Sequence, residues 1–355
     1  MFWAACNRAS DPLALPAFGL PGRFCSRTLL RACIFLCSLE SYSTTVELKE
    51  QEMSDREEWL RKQFHNVLLA TDFHQNSKLA LRYAAELVHR FGGKLTVLNA
   101  FEFGPYSQTV EVLDHVPSME RRNAKELLNE FTLGAGPLDV LTEQIVVEGL
   151  VPSAIIKALY EFDVNLLVIG TEGMHRGFDH LLLGSNTEAL MLGSHRPTLT
   201  VGPRVPERLE HETFQKIIYI SDFSVASTAA ATFANLLEQA FQTTTEVYQL
   251  VSKAALKDAE RLANTAAQYC DMLRFADPDL PMEWFDPEFQ LSRILPEADL
   301  IAKVSEPSNL IVLGVQPASF IQRHLHTSLA YRLLANAASP VLTIPAETAR
   351  QARKG

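Results

Sequence analysis

Residues 64–73 read FHNVLLATDF and residues 214–223 read FQKIIYISDF, so an apolar run that ends in Asp-Phe occurs twice, 150 residues apart. An apolar helix face follows each run, with matching residues at positions i, i+3, i+4, i+7 and i+11. The matched residues are Ala80, Tyr83, Ala84, Leu87 and Phe91 in the first copy and Ala230, Phe233, Ala234, Leu237 and Phe241 in the second. The repeat predicts an internal duplication.

The ends of the two copies match as well. The stretch NLLVIG at 165–170 corresponds to NLIVLG at 309–314, and PTLTV at 197–201 corresponds to PVLTI at 340–344. The offset falls to 144 and then to 143 residues, so the second copy is about six residues shorter in its middle. Matching blocks in the same order make chance similarity a poor explanation.

Each copy is predicted to alternate five strands with four helices. In the first copy the strands are placed near 64–71, 94–101, 140–147, 165–170 and 198–202. Nearly continuous apolar runs are typical of parallel strands that helices cover on both faces. The prediction is therefore an α/β fold of two tandem, doubly wound, five-stranded parallel-sheet domains of the Rossmann-like kind. A mixed α+β fold is the alternative.

The predicted domains are 64–204 and 214–345, joined by a polar linker at 205–213 and followed by a tail at 346–355. The chain of 355 residues is long enough for two domains, and its 47% hydrophobic residues can fill two cores. Its formal net charge of −10 argues against nucleic acid or an anionic membrane as a partner, since both require a basic face.

The first 52 residues differ in composition from the rest. Four of the five cysteines lie there (Cys6, Cys25, Cys33 and Cys37), and only Cys270 follows. We therefore predict a folded part that occupies a reducing cytoplasm. The apolar run from Ala32 to Leu39 is too short to span a bilayer. We interpret 1–52 as an untranslated leader upstream of Met53 or as a disordered tail, with a cleaved export signal as the alternative.

A glycine-rich stretch follows the fourth strand of the first copy: GTEGMHRGFDHLLLGSNT at 170–187. Backbone N–H groups that converge at a helix N-terminus hold phosphate well, because the helix dipole also favours an anion. Gly170, Gly173 and Gly184 allow close backbone approach, and Ser185 and Asn186 suit a helix N-cap or a phosphate contact. A pair of tight turns without a ligand is the alternative interpretation.

This stretch resembles the signature of the universal stress protein family, Gly-x2-Gly-x9-Gly-Ser/Thr. The resemblance to the family extends over nearly all of 64–203. One difference is that ten residues, not nine, separate Gly173 from Gly184, and we place the extra residue at 174–176. The resemblance implies the strand order 3-2-1-4-5 and an ATP site, with Mg²⁺ accompanying the nucleotide. Ligands of such sheets lie beyond the carboxyl ends of the strands where the winding reverses.

Mapped onto this chain, the resemblance and the position of the crevice predict ten nucleotide-binding residues: Ala70, Thr71, Asp72, Ala100, Gly170, Gly173, Arg176, Gly184, Ser185 and Asn186. The carboxylate of Asp72 would accept hydrogen bonds from the ribose or the adenine. An aspartate that only caps the following helix is the alternative. For Arg176, phosphate contact and a solvated loop position both stay open.

The second copy has lost the glycines of this stretch. Pro317 stands where the second glycine should be and removes an N–H donor, and Thr327 replaces the third glycine with a β-branched residue. We therefore predict that the second copy binds no ATP, or binds it much more weakly, and has a structural role. The resemblance implies that the last strands of two domains pair, so those at 198–201 and 341–344 are expected to lie across the seam of an intramolecular pseudo-dimer, which would protect their edges. Assembly of two chains into a homodimer is a further possibility that the sequence leaves open.

The predicted function is that of an ATP-binding regulatory protein that acts on an unknown protein partner, with slow or no hydrolysis. No P-loop lysine, nucleophile elbow, catalytic residue or metal site is identified, so at most a weak ATPase is expected. A scaffold that acts through protein partners without binding nucleotide is the alternative, and an enzyme that uses an ATP or adenylylated substrate ranks third.

Overall fold

The computed structural model describes residues 55–102, 116–134, 140–171, 174–175, 181–182, 185–207, 214–315, 333 and 335–348. The strands are β1 (Asn66–Ala70), β2 (Lys94–Phe101), β3 (Thr142–Glu148), β4 (Leu166–Gly170), β5 (Met174–His175), β6 (Leu181–Leu182), β7 (Thr198–Val201), β8 (Lys216–Ser221), β9 (Thr244–Gln249), β10 (Asn309–Val315) and β11 (Val341–Pro345). The helices are α1 (55–63), α2 (Gln75–Phe91), α3 (Val116–Gly134), α4 (Val151–Glu161), α5 (Ser185–Gly193), α6 (Val225–Phe241), α7 (Ala259–Ala276), α8 (Pro287–Ser292) and α9 (Glu297–Val304).

One nine-stranded sheet runs through the described residues in the order β3-β2-β1-β4-β7-β11-β10-β8-β9. Its first five strands show the expected order 3-2-1-4-5, and every pair within each half is parallel. Alternate strand residues supply the two faces: Val67 and Leu69 join one hydrophobic core, whereas Leu68 and Ala70 join the other. Helices α2, α3, α6 and α7 cover the first face, and α4, α5 and α9 cover the second. The α/β fold class is confirmed.

The two halves meet where β7 pairs with β11 in antiparallel register, with Leu199 opposite Leu342. The Oγ1 hydroxyl of Thr343 donates a hydrogen bond of 3.1 Å to the carbonyl oxygen of Thr198 across this junction. The pairing of these two strands was expected from the family resemblance and is confirmed. It joins two sheets into one and leaves no unpaired strand edge at the junction.

Six aromatic rings pack beside this junction, and they stand at three pairs of positions matched by the 150-residue offset: 64 and 214, 83 and 233, and 91 and 241. The ring centroids of Phe64 and Phe233 are 6.4 Å apart, those of Tyr83 and Phe214 are 5.8 Å apart, and those of Phe91 and Phe241 are 6.1 Å apart. Each pair joins one half to the other. The described halves therefore share one core on this face, within a single compact unit, Asp55–Gly355.

Among its described residues the second half has four strands and not the predicted five, so that part of the sequence prediction was wrong. The region expected to hold its third strand forms a short 3-10 helix, Met282–Phe285, and helix α8. Three prolines between 281 and 296 each remove a backbone N–H donor that a ladder with β9 could use. In place of a strand, this region forms one isolated parallel bridge, between Gln249 and Ile294. Trp284 is buried there and stacks on Tyr219, with centroids 5.5 Å apart.

Helix α1 precedes the first strand and was not predicted from the sequence. Leu60 is buried in the shared core, and the ring of Trp59 lies 5.1 Å from that of Phe233 in the second half. The guanidinium of Arg56 pairs at 2.6 Å with both Asp277 and Asp279, which follow α7. This helix therefore attaches the start of the first half to the second half.

The predicted linker and tail each contain a residue that packs against the fold. Val205, at the start of the linker, is buried, and the backbone N–H of Ala346 donates to the carbonyl oxygen of Val315 at 3.2 Å. Thr348 is buried as well. Residues 208–213, 349–355 and the N-terminal 1–52 lie outside the described part of the chain. Among the helices of the described residues, none combines the length and apolar content required to cross a membrane.

Candidate functional site

The predicted crevice lies where the sheet of the first half changes its winding direction. Strand β1 pairs in parallel with β4, and Ala70 stands opposite Ile169 at the carboxyl ends of both strands. The ladders continue for one more residue, because Thr71 N–H donates to Leu98 O and Thr171 N–H donates to Val201 O, each at 2.9 Å. Segments 71–74 and 170–171 therefore leave the sheet side by side at the edge where such sheets bind ligands.

Asp72 stands in the turn between β1 and α2, with its side chain about 55% exposed. Its Oδ1 accepts hydrogen bonds from the backbone N–H of His74 at 3.2 Å and from the Oγ hydroxyl of Ser77 at 2.7 Å. Its Oδ2 lies 3.1 Å from Nδ1 of His74. One carboxylate oxygen is thus used by the turn itself, and the other stays at the rim of the crevice.

The second half forms the same turn at Asp222. Its Oδ1 accepts from the N–H of Ser224 at 3.1 Å and from the Oγ of Ser227 at 2.7 Å. The residue after each aspartate adopts a left-handed conformation, with φ of 68° at Phe73 and 61° at Phe223. The aspartate therefore organises the turn that leads into the helix in both halves. This explains why it persists in the half that lacks the glycines.

Gly170 has a packing role that the sequence analysis did not foresee. A Cβ atom at this position would lie 2.4 Å from the backbone N of Ser77, because the first turn of α2 rests directly on the end of β4. At Gly314, the equivalent position, a Cβ would lie 2.2 Å from the carbonyl carbon of Ala226. Both contacts are far closer than real Cβ atoms approach. Each half therefore requires glycine here, whether or not it binds a ligand.

Two amide side chains donate hydrogen bonds to backbone carbonyl oxygens at the crevice of the first half. Nδ2 of Asn76 donates to the carbonyl oxygen of Thr171 at 2.7 Å, and Nδ2 of the buried Asn99 donates to the carbonyl oxygen of Thr71 at 2.9 Å. The equivalent positions in the second half are Ala226 and Gln249. The sequence analysis missed Asn76, although a polar residue at the start of α2 that is absent from the otherwise similar second copy is a signal that could have identified it.

The remaining predicted residues are only partly described. Ala70 is buried at the end of β1, and Ala100 is half-buried in β2, opposite Val147 of β3. Ser185 begins α5, and Asn186 is exposed in its first turn. Strands β5 and β6 form a two-residue antiparallel ladder between β4 and α5. Gly173, Arg176 and Gly184 lie outside the described residues, as do Pro317, Thr327 and the rest of 316–332 in the second half.

Cys270 is the only cysteine of the described residues, and its environment does not favour nucleophilic chemistry. The thiol is buried beside the carbonyl oxygen of Trp284, at 3.8 Å, and burial raises its pKa to about 11. A thiol with this pKa stays protonated at neutral pH, and the thiolate is the reactive form.

An open parallel sheet with helices on both faces and a crevice at its winding reversal defines a Rossmann-like α/β protein. The universal stress protein family model matches residues 63–202. Proteins named as universal stress proteins of Staphylococcus haemolyticus and Staphylococcus aureus (strain USA300) are 28% and 30% identical over 153 and 134 residues. These matches span 92% and 78% of those proteins but only 42% and 36% of this chain. The chain therefore belongs to the universal stress protein family.

The fold of a universal stress protein from Archaeoglobus fulgidus is similar across both halves. Its crystal structure superposes with a TM-score of 0.56 at 17% identity and covers 79% of this chain and 98% of its own. A superposition that covers 79% of the chain exceeds the length of either half, so the likeness in fold includes the second half.

Proposed function

We propose that the first half binds ATP, accompanied by Mg²⁺, and that the chain acts as a nucleotide-dependent regulatory protein with slow or no hydrolysis. The observation that carries this proposal is the parallel pairing of β1 with β4, which brings the turn at Asp72 next to the start of the glycine-rich stretch at Gly170. Helix α5 begins at the end of that stretch, so its N-terminus can hold a phosphate group.

The nucleotide would occupy the crevice with its adenosine near Asp72 and Ala100 and its phosphates near α5. The Oδ2 atom of Asp72, which also lies 3.1 Å from Nδ1 of His74, would accept from a ribose hydroxyl or from the adenine amine. Gly173, Gly184, Ser185 and Asn186 would supply backbone and side-chain donors to the phosphates, and Arg176 would add positive charge. The second half, with Pro317 and Thr327 in place of glycines, would bind no ATP.

The test is calorimetry of the full chain after any nucleotide that purifies with it has been removed. We expect one ATP per chain with Mg²⁺ present. Gly184→Val should abolish binding, because a β-branched residue closes the approach to the phosphates. Pro317→Gly is the matched control in the second half and should not create a second site on its own.

Two outcomes would overturn the proposal. Absence of ATP binding with Mg²⁺ present would favour a scaffold that acts through protein partners. Turnover faster than about one per second would favour an enzyme, because that is an ordinary enzymatic rate.

A further inference from the structure

The outermost strand of the first half, β3, has one edge that pairs with no other strand of the described residues. Its other edge pairs with β2 along all seven of its residues. This ladder begins where the N–H of Leu95 donates to the carbonyl oxygen of Leu141 and ends where the N–H of Gly149 donates to that of Phe101, each at 3.0 Å. Because successive residues of a strand turn their backbone groups to opposite edges, the even-numbered residues of β3 turn theirs outward. These outward residues are Thr142, Gln144, Val146 and Glu148.

The opposite edge of the nine-stranded sheet differs, because a following segment covers part of it. The backbone N–H of Gln249, in β9, donates to the carbonyl oxygen of Arg293 at 3.0 Å, and Gln249 is buried. Edge strands usually carry such a cover, a lysine, a proline or a bulge, which keeps other chains from pairing with them. Strand β3 is longer than β9 and contains neither lysine nor proline. An edge of this kind can accept an extended segment as an additional strand.

The centre of β3 is apolar and only half-buried. Val146 packs against the core on one face of the sheet, and Ile145 and Val147 pack against the core on the other face. Each of the three keeps part of its surface exposed, and Leu141, just before the strand, is 76% exposed. An added strand with an apolar centre would therefore remove apolar surface from water on both faces.

The two ends of β3 are acidic. Glu143 and Glu148 are exposed on either side of the apolar centre, and every charged residue between Lys125 and Lys157 is acidic. A second copy of the chain is disfavoured as the added strand, because its β3 would bring further glutamates and each chain carries a net charge of −10. The complementary segment has lysine or arginine at both ends and apolar residues between them.

We propose that β3 is a docking edge for a protein partner, which adds an extended basic segment to the sheet as a further strand. The backbone of that segment bonds the outward N–H and C=O groups of Gln144 and Val146, and its basic side chains pair with Glu143 and Glu148. The edge gives a regulatory protein a surface through which to act. The proposal does not depend on nucleotide binding by the first half.

Fluorescence anisotropy of a labelled peptide added to the full chain tests the proposal. The peptide matches β3 in length and carries lysines at both ends and valines between them, so it fits in either strand direction. It should bind saturably at one per chain, and the same peptide with glutamate in place of lysine should bind at least about tenfold more weakly. Gln144→Pro should abolish binding, because it removes an outward N–H donor. Gln144→Ala, which keeps that N–H, is the matched control and should retain binding.

Two further comparisons distinguish strand addition from nonspecific charge attraction. N-methylation of alternate peptide residues blocks one edge of the bound strand, so of the two possible alternating sets only one should abolish binding. This comparison needs no change in the protein and holds if the Gln144→Pro chain fails to fold. Glu143→Gln combined with Glu148→Gln should weaken binding about threefold to tenfold. Glu260→Gln, at an exposed position of α7 in the second half, should leave it unchanged.

Three results would overturn the proposal: no saturable binding of the basic peptide, binding that survives Gln144→Pro in a folded chain, or equal binding of the two methylated peptides. Self-association of the chain in sedimentation that Gln144→Pro removes would also overturn it, because a second copy would then occupy the edge. A failure of the first-half proposal has a different signature, since it appears as a lack of ATP binding by the unaltered chain.

Discussion

At the scale of single residues, the duplication separates what the fold needs from what a ligand would need. Asp72 and Gly170 lie at the predicted site, yet Asp222 and Gly314 make equivalent contacts in the half without the glycine-rich stretch. Their persistence in both copies is therefore explained by packing and turn geometry. Asn76, which has no counterpart in the second half, is the better candidate for a role specific to the first crevice.

Gly170→Ala and Gly314→Ala should each destabilise the protein by about 1–3 kcal/mol, because the added methyl group forces α2 or α6 away from the sheet. Urea unfolding measures the loss. Gly134→Ala is the matched control, since nothing lies within 4 Å of a Cβ there, and it should not destabilise. Unchanged stability in both crevice variants would contradict the packing role.

Asp72→Ala and Asp222→Ala should cost similar stability, about 1–2 kcal/mol, because each removes the acceptor of a serine hydroxyl and of a backbone N–H. Only Asp72→Ala should also weaken ATP binding under the proposed function. Thermal unfolding and calorimetry of both variants separate the two effects. A stability loss confined to one half would show that the turns are not equivalent.

Asn76→Ala should weaken ATP binding more than it lowers stability, because its amide donates to the carbonyl oxygen of Thr171, the second residue of the glycine-rich stretch. Ala226→Asn, the reciprocal change, should not enable the second half to bind ATP. Equal ATP affinity in Asn76→Ala and the unaltered chain would show that Asn76 does not position the ATP site.

At the scale of elements, α1 acts through a charged contact with the other half. Arg56 is 21% exposed and Asp277 is 4% exposed, and two nitrogens of the guanidinium bond the two oxygens of that carboxylate. Arg56→Ala should lower the free energy of unfolding by about 1.5–3 kcal/mol, because it leaves the buried carboxylate without this partner. Lys62→Ala, which removes only the exposed pair with Glu58, should cost less than about 1 kcal/mol. Equal effects in urea unfolding would contradict this assignment.

At the scale of the whole molecule, the shared sheet and the shared aromatic core predict that both halves unfold together. Phe241 contacts Phe91 and Phe214, so Phe241→Ala should cost about 3–5 kcal/mol. Amide hydrogen exchange should then accelerate in β1 as well as in β8. Faster exchange in the second half alone, or two separate unfolding transitions, would show that the halves are independent domains.

The sequence by itself determined the fold class, the duplication and the placement of β1, β2, β3, β4 and β7, because apolar periodicity and repeated blocks are local signals; the pairing of β7 with β11 was implied by the family resemblance. The tertiary structure alone decided three other features: the missing strand of the second half, the attachment of α1 and the close packing at Gly170. Each depends on contacts between residues far apart in the chain, such as Arg56 with Asp277, Tyr219 with Trp284, and Gly170 with Ser77. Periodicity reports which face of an element is apolar, but which distant surface covers that face is set only when the chain folds.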